Sequence, residues 1–372
     1  MPVRYYNRLA WIALFFAVLC VAGVIAFHFP QFLSTPRLRE VYDTDQLRRL
    51  LFVVMALSLG GGLISLFFSE RRGQALAACA LTALASVLGG SQVEVQTPIR
   101  QLPVYLSLDL IILDLFFMSL IFVPLERLAF LRRQRFLRPG LRTDLMHYGL
   151  NHLLMGGLYY LIALPGTWLN RQLPDTGISA TIQSLPVLLQ VVMILFVADF
   201  TQYWVHRFLH FNQRLWQFHK IHHSSTCMDW LASSRLHIMD VIITRSISYI
   251  PVVLLGFSGD AVQLYLPVVA LQALFVHANV RLTFGPLRYI LTTPRVHHWH
   301  HSDHPDALDK NFAVSFSCID VLFGTFHCPR EWPEQYGLAG ERISDRFYRQ
   351  LVYPFLHQLR GGHGRDQDAG TA

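Results

Sequence analysis

Residues 198–225 read ADFTQYWVHRFLHFNQRLWQFHKIHHSS, a stretch with five histidines within eighteen positions. His206 and His210 are four residues apart, so a helix places both rings on one face. Asp199 and Tyr203 precede His206 by seven and three residues, which puts them on the same stripe of that helix. The pattern predicts a helix that presents imidazoles, together with polar side chains able to orient them, toward one site.

Two further histidine clusters repeat this helical spacing. They comprise His219, His222 and His223 in HKIHH, and His297, His300 and His301 in PRVHHWHH further along the chain. Neutral imidazole is the commonest protein metal ligand, and pairs at three- or four-residue spacing on facing helices can converge on one ion. Three clusters offer more ligands than the four that one tetrahedral site needs. We therefore expect two metal ions.

Two isolated histidines are further candidates for metal ligation. His237 stands in SRLHIMD and His277 in FVHANV, each followed closely by a polar residue, Asp240 and Asn279. Their position between the clusters favours ligation, with the polar partners orienting the rings. Six other histidines are expected to be bystanders: His28, His147, His152, His298, His304 and His327. Imidazole suits iron, zinc, copper and nickel alike, so spacing alone does not name the metal.

The composition is that of a membrane protein. Of 372 residues 53% are hydrophobic and only 15% are charged, and the mean hydropathy is +0.35. Soluble domains carry about 25% charged residues. The net charge of +7 is not arranged as a basic patch with stacking aromatics, so no nucleic-acid partner is expected. The five cysteines form no CxxC pair, which argues against a zinc finger or a disulfide framework.

Eight apolar segments predict an all-α, multipass bundle of transmembrane helices. They cover residues 10–29, 50–68, 75–90, 104–123, 145–164, 185–205, 241–257 and 261–276. Arg245 and Pro267 leave a re-entrant hairpin as an alternative to two full spans for the last two. The run Gly60-Gly61-Gly62 predicts close helix contact. The acids of the fourth segment, Asp109 and Asp114, suit either a functional or a structural role.

The arginine-rich segment 126–142 is the strongest topological signal and is expected to face the cytoplasm. Two apolar helices separate it from the first histidine clusters, which places the metal site in a cytosolic cap. Four arginines between the first two helices conflict with this orientation: Arg37, Arg39, Arg48 and Arg49. Domain boundaries are expected at 1–125 for N-terminal helices, 126–335 for the histidine-bearing domain and 336–372 for a C-terminal tail, disordered from Gly361 onward.

The histidine motifs resemble those of the fatty acid hydroxylase (sterol desaturase) superfamily. HRFLH, HKIHH and HHWHH are similar to its HxxxH, HxxHH and HxxHH boxes. The similarity extends to DFTQYWVHR before the first box, to RLH and HANV between boxes, and to DKNFAVSFSCIDVLFGTF after the last. It covers roughly residues 141–328. The N-terminal helices are not part of the shared domain.

This resemblance implies a membrane-bound di-iron enzyme that uses O₂ and two electrons to hydroxylate or desaturate lipid C–H bonds, with zinc as a substitute metal in purified protein. The implied ligands are His206, His210, His219, His222, His223, His237, His277, His297, His300 and His301. No haem-binding HPGG segment is present, so a separate electron-transfer protein is expected. The substrate would come from the bilayer, which is the inner membrane if the source is a bacterium.

Several alternatives stay open from sequence. The superfamily hosts fatty acyl, sterol, sphingoid, carotenoid and ether-lipid substrates, and the motifs do not choose between hydroxylation and desaturation. A multipass metal transporter is a rival reading, although such a protein would bind its ion near the bilayer midplane. A catalytically silent relative that keeps a structural metal is another.

Overall fold

The computed structural model describes residues 2–95, 99, 102, 105–174 and 176–359. These residues form sixteen α-helices and four short 3-10 helices, and their only β-structure consists of isolated bridges. The all-α class predicted from the apolar segments is confirmed. The chain divides into two compact units, Met1–Leu113 and Asp114–Ala372.

Close packing of small residues holds the first unit together. A Cβ on Gly61 would lie 3.3 Å from that of Ala13, and one on Gly62 would lie 2.8 Å from the Cys79 sulfur. The close helix contact predicted for the glycine run is confirmed at these two positions. The Ser58 hydroxyl adds a polar tie by donating to the Ala13 carbonyl. The helices are α1 (Pro2–His28), α2 (Pro30–Leu33), α3 (Pro36–Arg39), α4 (Thr44–Phe68) and α5 (Arg72–Val87), followed by a 3-10 turn at Gly90–Gln92.

The two acids of the fourth apolar segment have structural roles. Asp109 accepts hydrogen bonds from the backbone N–H and the hydroxyl of Thr35, and from the Tyr42 hydroxyl. Asp114 accepts a hydrogen bond from the Tyr148 hydroxyl at 2.6 Å. Each carboxylate therefore joins segments distant in sequence, within its own unit.

The second unit contains the histidine clusters. Its apolar core draws on four helices and includes Ile194, Val252, Phe257 and Tyr265. Its α-helices are α6 (Leu108–Leu128, which contains the unit boundary), α7 (Leu141–Gln172), α8 (Ile178–Gln183), α9 (Val187–Phe211), α10 (Gln213–His223), α11 (Ile238–Ser248), α12 (Ile250–Leu255), α13 (Gly259–His277), α14 (Pro294–His300), α15 (Cys318–Leu322) and α16 (Phe347–Leu359). Three 3-10 helices cover Trp230–Ser234, Gly285–Tyr289 and Pro305–Ala307.

Seven helical segments in the described residues are long and apolar enough to cross a membrane. They are Val3–His28, Thr44–Phe68, Arg72–Gln92, Leu108–Leu128, Val187–Phe211, Ile238–Leu255 and Gly259–His277. The protein is thus an integral multipass membrane protein, as the composition predicts. The fifth of the eight predicted segments, 145–164, is helical within α7 but is not among these seven. The segment predicted as a tail contains α16, and the predicted disorder beyond Gly361 lies outside the described residues.

Candidate metal centre

Nine imidazoles gather in two groups in the second unit. Within each group, one ring nitrogen of every residue lies within 4.8 Å of the corresponding atoms of the others. Metal–imidazole bonds of about 2.0–2.1 Å bring ligand nitrogens to separations of this order. The first group contains His206, His210, His219, His223 and His300, and the second contains His222, His277, His297 and His301.

The first two clusters converge because the chain breaks between α9 and α10. His206 and His210 occupy the C-terminal end of α9. Asn212 then ends this helix and caps the next, since its side chain accepts the N–H groups of Arg214 and Leu215. The second helix restarts at an angle to the first, and its histidines meet those of α9.

The third cluster and the isolated His277 also lie at helix ends. His277 is the last residue of α13. The short α14 begins after Thr293, whose hydroxyl caps it, and carries His297 and His300. His301 directly follows this helix and is buried. The centre is therefore built where four helices end or begin.

Hydrogen bonding fixes the protonation of two rings in the first group. The Nδ1–H of His206 donates to the Phe312 carbonyl at 2.7 Å, and that of His219 donates to Asp240 at 2.8 Å. Each neutral ring then carries its lone pair on Nε2. These two Nε2 atoms face one another at 2.9 Å. Two lone pairs at this distance repel, whereas a cation between them would be bound by both.

The second group shows the same arrangement. His222 donates from Nδ1 to the Arg235 carbonyl, and His277 donates from Nδ1 to the Ala273 carbonyl. Their Nε2 atoms, which again carry the lone pairs, lie 3.2 Å apart. His297 Nε2 lies 3.1 Å from the same atom of His277. Both groups therefore present converging lone pairs, which is the donor set that a metal ion requires.

His210 and His300, of the first group, show a similar arrangement. His210 contacts Asp309 through Nδ1 at 3.2 Å, and His300 donates from Nδ1 to the Lys310 carbonyl at 2.7 Å. The Nε2 atoms of both rings are buried and have no hydrogen-bond partner among the described residues. An unsatisfied buried polar atom costs about 1–3 kcal/mol, which a bound cation would offset. The residues present fit a metal.

The environment keeps these rings neutral. Burial, followed by the neighbouring imidazoles, lowers the pKa of His222, His223, His297 and His301 well below the usual value. Burial likewise lowers the pKa of His300 to about 3. Neutral rings keep a free lone pair at pH 7, which ligation needs.

The two groups lie side by side. The rings of His223 and His301, one from each group, stack with centroids 4.5 Å apart. The rings of His219 and His222 are 5.5 Å apart. Metals bound to the two groups would therefore be neighbours.

Asp199 and Tyr203, predicted to orient the ligands, contact no histidine ring of the two groups and act through a loop. Asp199 accepts the backbone N–H groups of residues 314–316. The Tyr203 hydroxyl is hydrogen-bonded to that of Thr325. This loop supplies the Phe312 carbonyl to His206, so both residues fix the position of a ligand partner.

Asp240 and Asn279 differ in how they serve the centre. Asp240 contacts His219 directly. The Asn279 side chain accepts the Arg132 N–H and donates to the Arg132 carbonyl, so it joins the segment after His277 to the arginine-rich loop. Only Asp240 therefore orients a ring.

His237, expected to be a ligand, lies outside both groups. Its Nδ1 accepts the N–H of Met239 and thereby caps α11. Its Nε2 then carries the proton and donates to the Leu351 carbonyl. Both ring nitrogens of His237 are thus engaged by backbone groups.

His298, expected to be a bystander, lies outside both groups and makes structural contacts. It is fully buried, and it bonds the Tyr336 hydroxyl and the carbonyls of His277 and Ala278. Burial lowers its pKa to about 3. Its role is to hold the end of α13 beside α14.

Two acids that sequence reasoning missed also support the ligands. Asp309 contacts His210, and Asp320 accepts the N–H groups of Phe312 and Ala313. Neither acid lies at helical spacing from a histidine cluster, so the spacing pattern did not predict a role for them. Asp320 stands in the SFSCID stretch that resembles the superfamily.

A cavity of about 250 Å³ opens beside both groups, between α9, α11 and α13. Its wall includes five of the clustered histidines and combines apolar residues with polar ones. The polar lining includes Gln202, Thr244, Arg245, Ser248, Tyr249 and Tyr265. This volume is near the lower end for small-molecule sites, so it suits part of a larger molecule.

Comparison with known proteins places the centre in a family context. Residues 191–325 match the profile of the family described as fatty acid hydroxylase, and this range contains all nine clustered histidines. The ornithine lipid hydroxylase OlsE of Rhizobium tropici is 35% identical over 176 residues, covering 47% of this chain and 53% of that protein. No solved structure matches the chain.

Two other relatives are more distant. The alkylglycerol monooxygenase of Danio rerio is 33% identical over 165 residues, which are 43% of this chain and 36% of that protein. Methylsterol monooxygenase 1-1 of Arabidopsis thaliana is 25% identical over 141 residues, 37% and 47% of the two chains. The chain thus matches about half the length or less of these relatives. The histidine motifs of this chain thus lie inside a segment, residues 191–325, that matches the fatty acid hydroxylase family.

Proposed function

We propose that the protein is a membrane-bound di-iron oxygenase that hydroxylates a membrane lipid. The observation that carries this proposal is the pair of adjoining imidazole groups beside a cavity between membrane-capable helices. The reaction would convert O₂, two electrons and two protons, with a C–H bond, into a C–OH group and water. The relatives are named hydroxylase and monooxygenase, which favours hydroxylation over desaturation.

Bound iron would supply O₂ activation, and the chain's own residues would do the rest. The first group would hold one ion and the second group the other, with Asp240 and the backbone carbonyls keeping the rings in the ligating tautomer. The cavity would admit the reacting part of the lipid and exclude bulk water from it. Electrons would come from a separate protein on the cytoplasmic side.

The position of the centre favours an enzyme over a transporter. His206 follows the start of α9 by nineteen residues, or roughly 28 Å at about 1.5 Å per residue. His277 ends α13. A transporter would bind its ion near the bilayer midplane, in the middle of such helices.

The test combines metal content with lipid oxidation. Protein from iron-replete cells should contain about two metal ions per chain, since two ligand groups exist, and should consume O₂ with a lipid and an electron donor. His222→Ala and His300→Ala should each abolish oxidation, because each removes a ligand from a different group. His304→Ala is the control: its side chain is 53% exposed and lies outside both groups.

Folding of each variant is checked by thermal denaturation, because a lost metal can also destabilise the protein. One metal ion or none per wild-type chain would contradict the two-ion centre. Full oxidation by well-folded His222→Ala and His300→Ala would show that these groups are not catalytic.

A further inference from the structure

A second cavity, of about 620 Å³, lies at the C-terminal end of α6 and has no ligand histidine in its wall. One side of it is apolar and includes Leu115, Val123, Leu145 and Trp230. The other side is the arginine-rich segment after α6, which contributes Arg127, Arg132, Arg133 and Arg135. A cavity with one apolar and one cationic wall fits an amphiphile that carries negative charge.

Three of these arginines are available for a ligand. Arg127, Arg133 and Arg135 are exposed, and they form no ion pair within the part of the chain that the structure describes. The guanidinium of Arg127 lies 6.0 Å from the Phe136 ring centre, and that of Arg133 lies 5.8 Å from the Phe130 ring centre. Stacking on a ring face leaves the in-plane N–H donors free.

The acids in the wall do not neutralise its arginines, because Asp229 is paired with Arg138 outside the wall and Glu126 is one negative charge against four arginines. Glu126 accepts the backbone N–H groups of Trp230 and Asn279, each at 2.8 Å. Asp229 binds the guanidinium of the buried Arg138 through both oxygens. The cationic side of the cavity therefore keeps its positive charge.

We propose that this cavity binds an anionic phospholipid, with the phosphate on Arg133 and Arg135 and an acyl chain along the apolar wall. Arginine suits phosphate because its planar donors form paired hydrogen bonds. The loop beside the cavity also exposes Leu128, Phe136 and Leu137 by 86%, 65% and 76%, as expected of residues that enter the lipid interface. A free phosphate ion would need no apolar wall.

The location supports a lipid rather than a soluble ligand. The cavity extends along the C-terminal half of the membrane-capable helix Leu108–Leu128 to the arginine-rich segment after it, so it reaches the depth of lipid headgroups. This site is additional to the histidine centre, and its occupation does not depend on oxidation. Its test is therefore a binding measurement whose result is independent of the proposed activity.

The experiment compares ligands on purified full-length protein in neutral detergent. Titration with dihexanoyl-phosphatidylglycerol, dihexanoyl-phosphatidylcholine and inorganic phosphate gives three affinities. We expect phosphatidylglycerol to bind at least tenfold more tightly than the other two. The double variant R133Q/R135Q should lose at least tenfold in phosphatidylglycerol affinity, while R133K/R135K should lose less. The matched control R330Q/R342Q removes two exposed arginines outside the cavity wall and should bind as the wild type does.

Three results would overturn the proposal. Equal affinity for the two lipids would show that headgroup charge is not recognised. Phosphate binding as tight as phosphatidylglycerol binding would indicate an anion site without a role for the apolar wall. Unchanged lipid affinity in R133Q/R135Q would show that these arginines do not bind the phosphate. Slower electron delivery in that variant would then indicate that they bind an acidic protein instead.

Discussion

At the scale of single residues, the centre depends on acceptors that orient each imidazole. Backbone carbonyls serve His206, His222, His277 and His300, whereas a carboxylate serves His219. A backbone carbonyl stays in place when the side chain of its residue is substituted, so mutation does not remove this acceptor. The carboxylates are therefore the acceptors that mutation can test.

Asp240→Asn should weaken metal binding to the first group by about 10–100-fold, as is typical when the partner of a ligating histidine is altered. The amide oxygen can still accept from His219, so the geometry is kept while the negative charge is lost. Asp309→Asn is the matched control: its side chain is 50% exposed and lies 3.2 Å from His210. Its effect should stay below about fivefold, since solvent screens the charge of a half-exposed carboxylate.

The measurement is a chelator competition that resolves the two ions of the purified protein. One ion should be removed more easily from Asp240→Asn, and the other should be held as in the wild type. Equal effects of the two substitutions would show that burial of the acceptor is unimportant here.

At the scale of helices, a buried network of charges joins α7 to the 3-10 helix Trp230–Ser234 and the residue after it. Asp144 pairs with Arg138 at 2.7 Å and also with Arg235. Arg235 is 1% exposed, and its carbonyl is the acceptor for His222. Gly140, just before α7, has φ +81°, and a Cβ there would lie 2.4 Å from the Arg235 guanidinium. The network therefore needs a glycine as well as charges.

Asp144→Ala should destabilise the protein by about 3–5 kcal/mol, because it leaves two buried guanidinium groups without their shared carboxylate. Asp345→Ala removes the ion pair between Asp345 and Arg235, in which the Asp345 side chain is 58% exposed. That control should cost less than about 1 kcal/mol. Denaturation of both variants in detergent compares the two values, and a similar loss of stability in both would contradict a dominant role for the buried pair.

At the scale of the whole molecule, the orientation in the membrane decides which side supplies electrons. The arginine-rich segment and the histidines of α10 are separated by two long helices, α7 and α9. Both regions should therefore lie on the cytoplasmic side.

Arg135→Cys and Gln213→Cys, both at exposed positions, should react equally with a membrane-impermeant thiol reagent in inside-out vesicles. Neither should react in right-side-out vesicles, since both residues would then face the lumen. The wild type, with its five native cysteines, provides the background. Opposite accessibility of the two positions would contradict the shared cytoplasmic location of the two regions, and with it the proposed route for electrons.

Local patterns in the sequence determined the helical class, seven of the eight predicted membrane segments and nine histidines that the structure gathers into two groups. Helical periodicity is a short-range property, so a histidine four residues from another on a helix is on the same face in any tertiary context. The same reasoning works for apolar runs, whose length alone decides whether a helix can cross a bilayer. It also named Asp240, which follows His237 closely in sequence but in the fold contacts His219.

Only the tertiary structure decided how the histidines divide into two groups. His222 and His223 are neighbours in sequence, yet they enter different groups because adjacent residues on a helix point about 100° apart. His237 lies outside both groups, where its Nδ1 accepts the Met239 N–H, and Asp309 contacts His210 from a loop. Contacts of this kind join residues far apart in sequence. Their partners depend on where helices end and pack, which no local spacing contains.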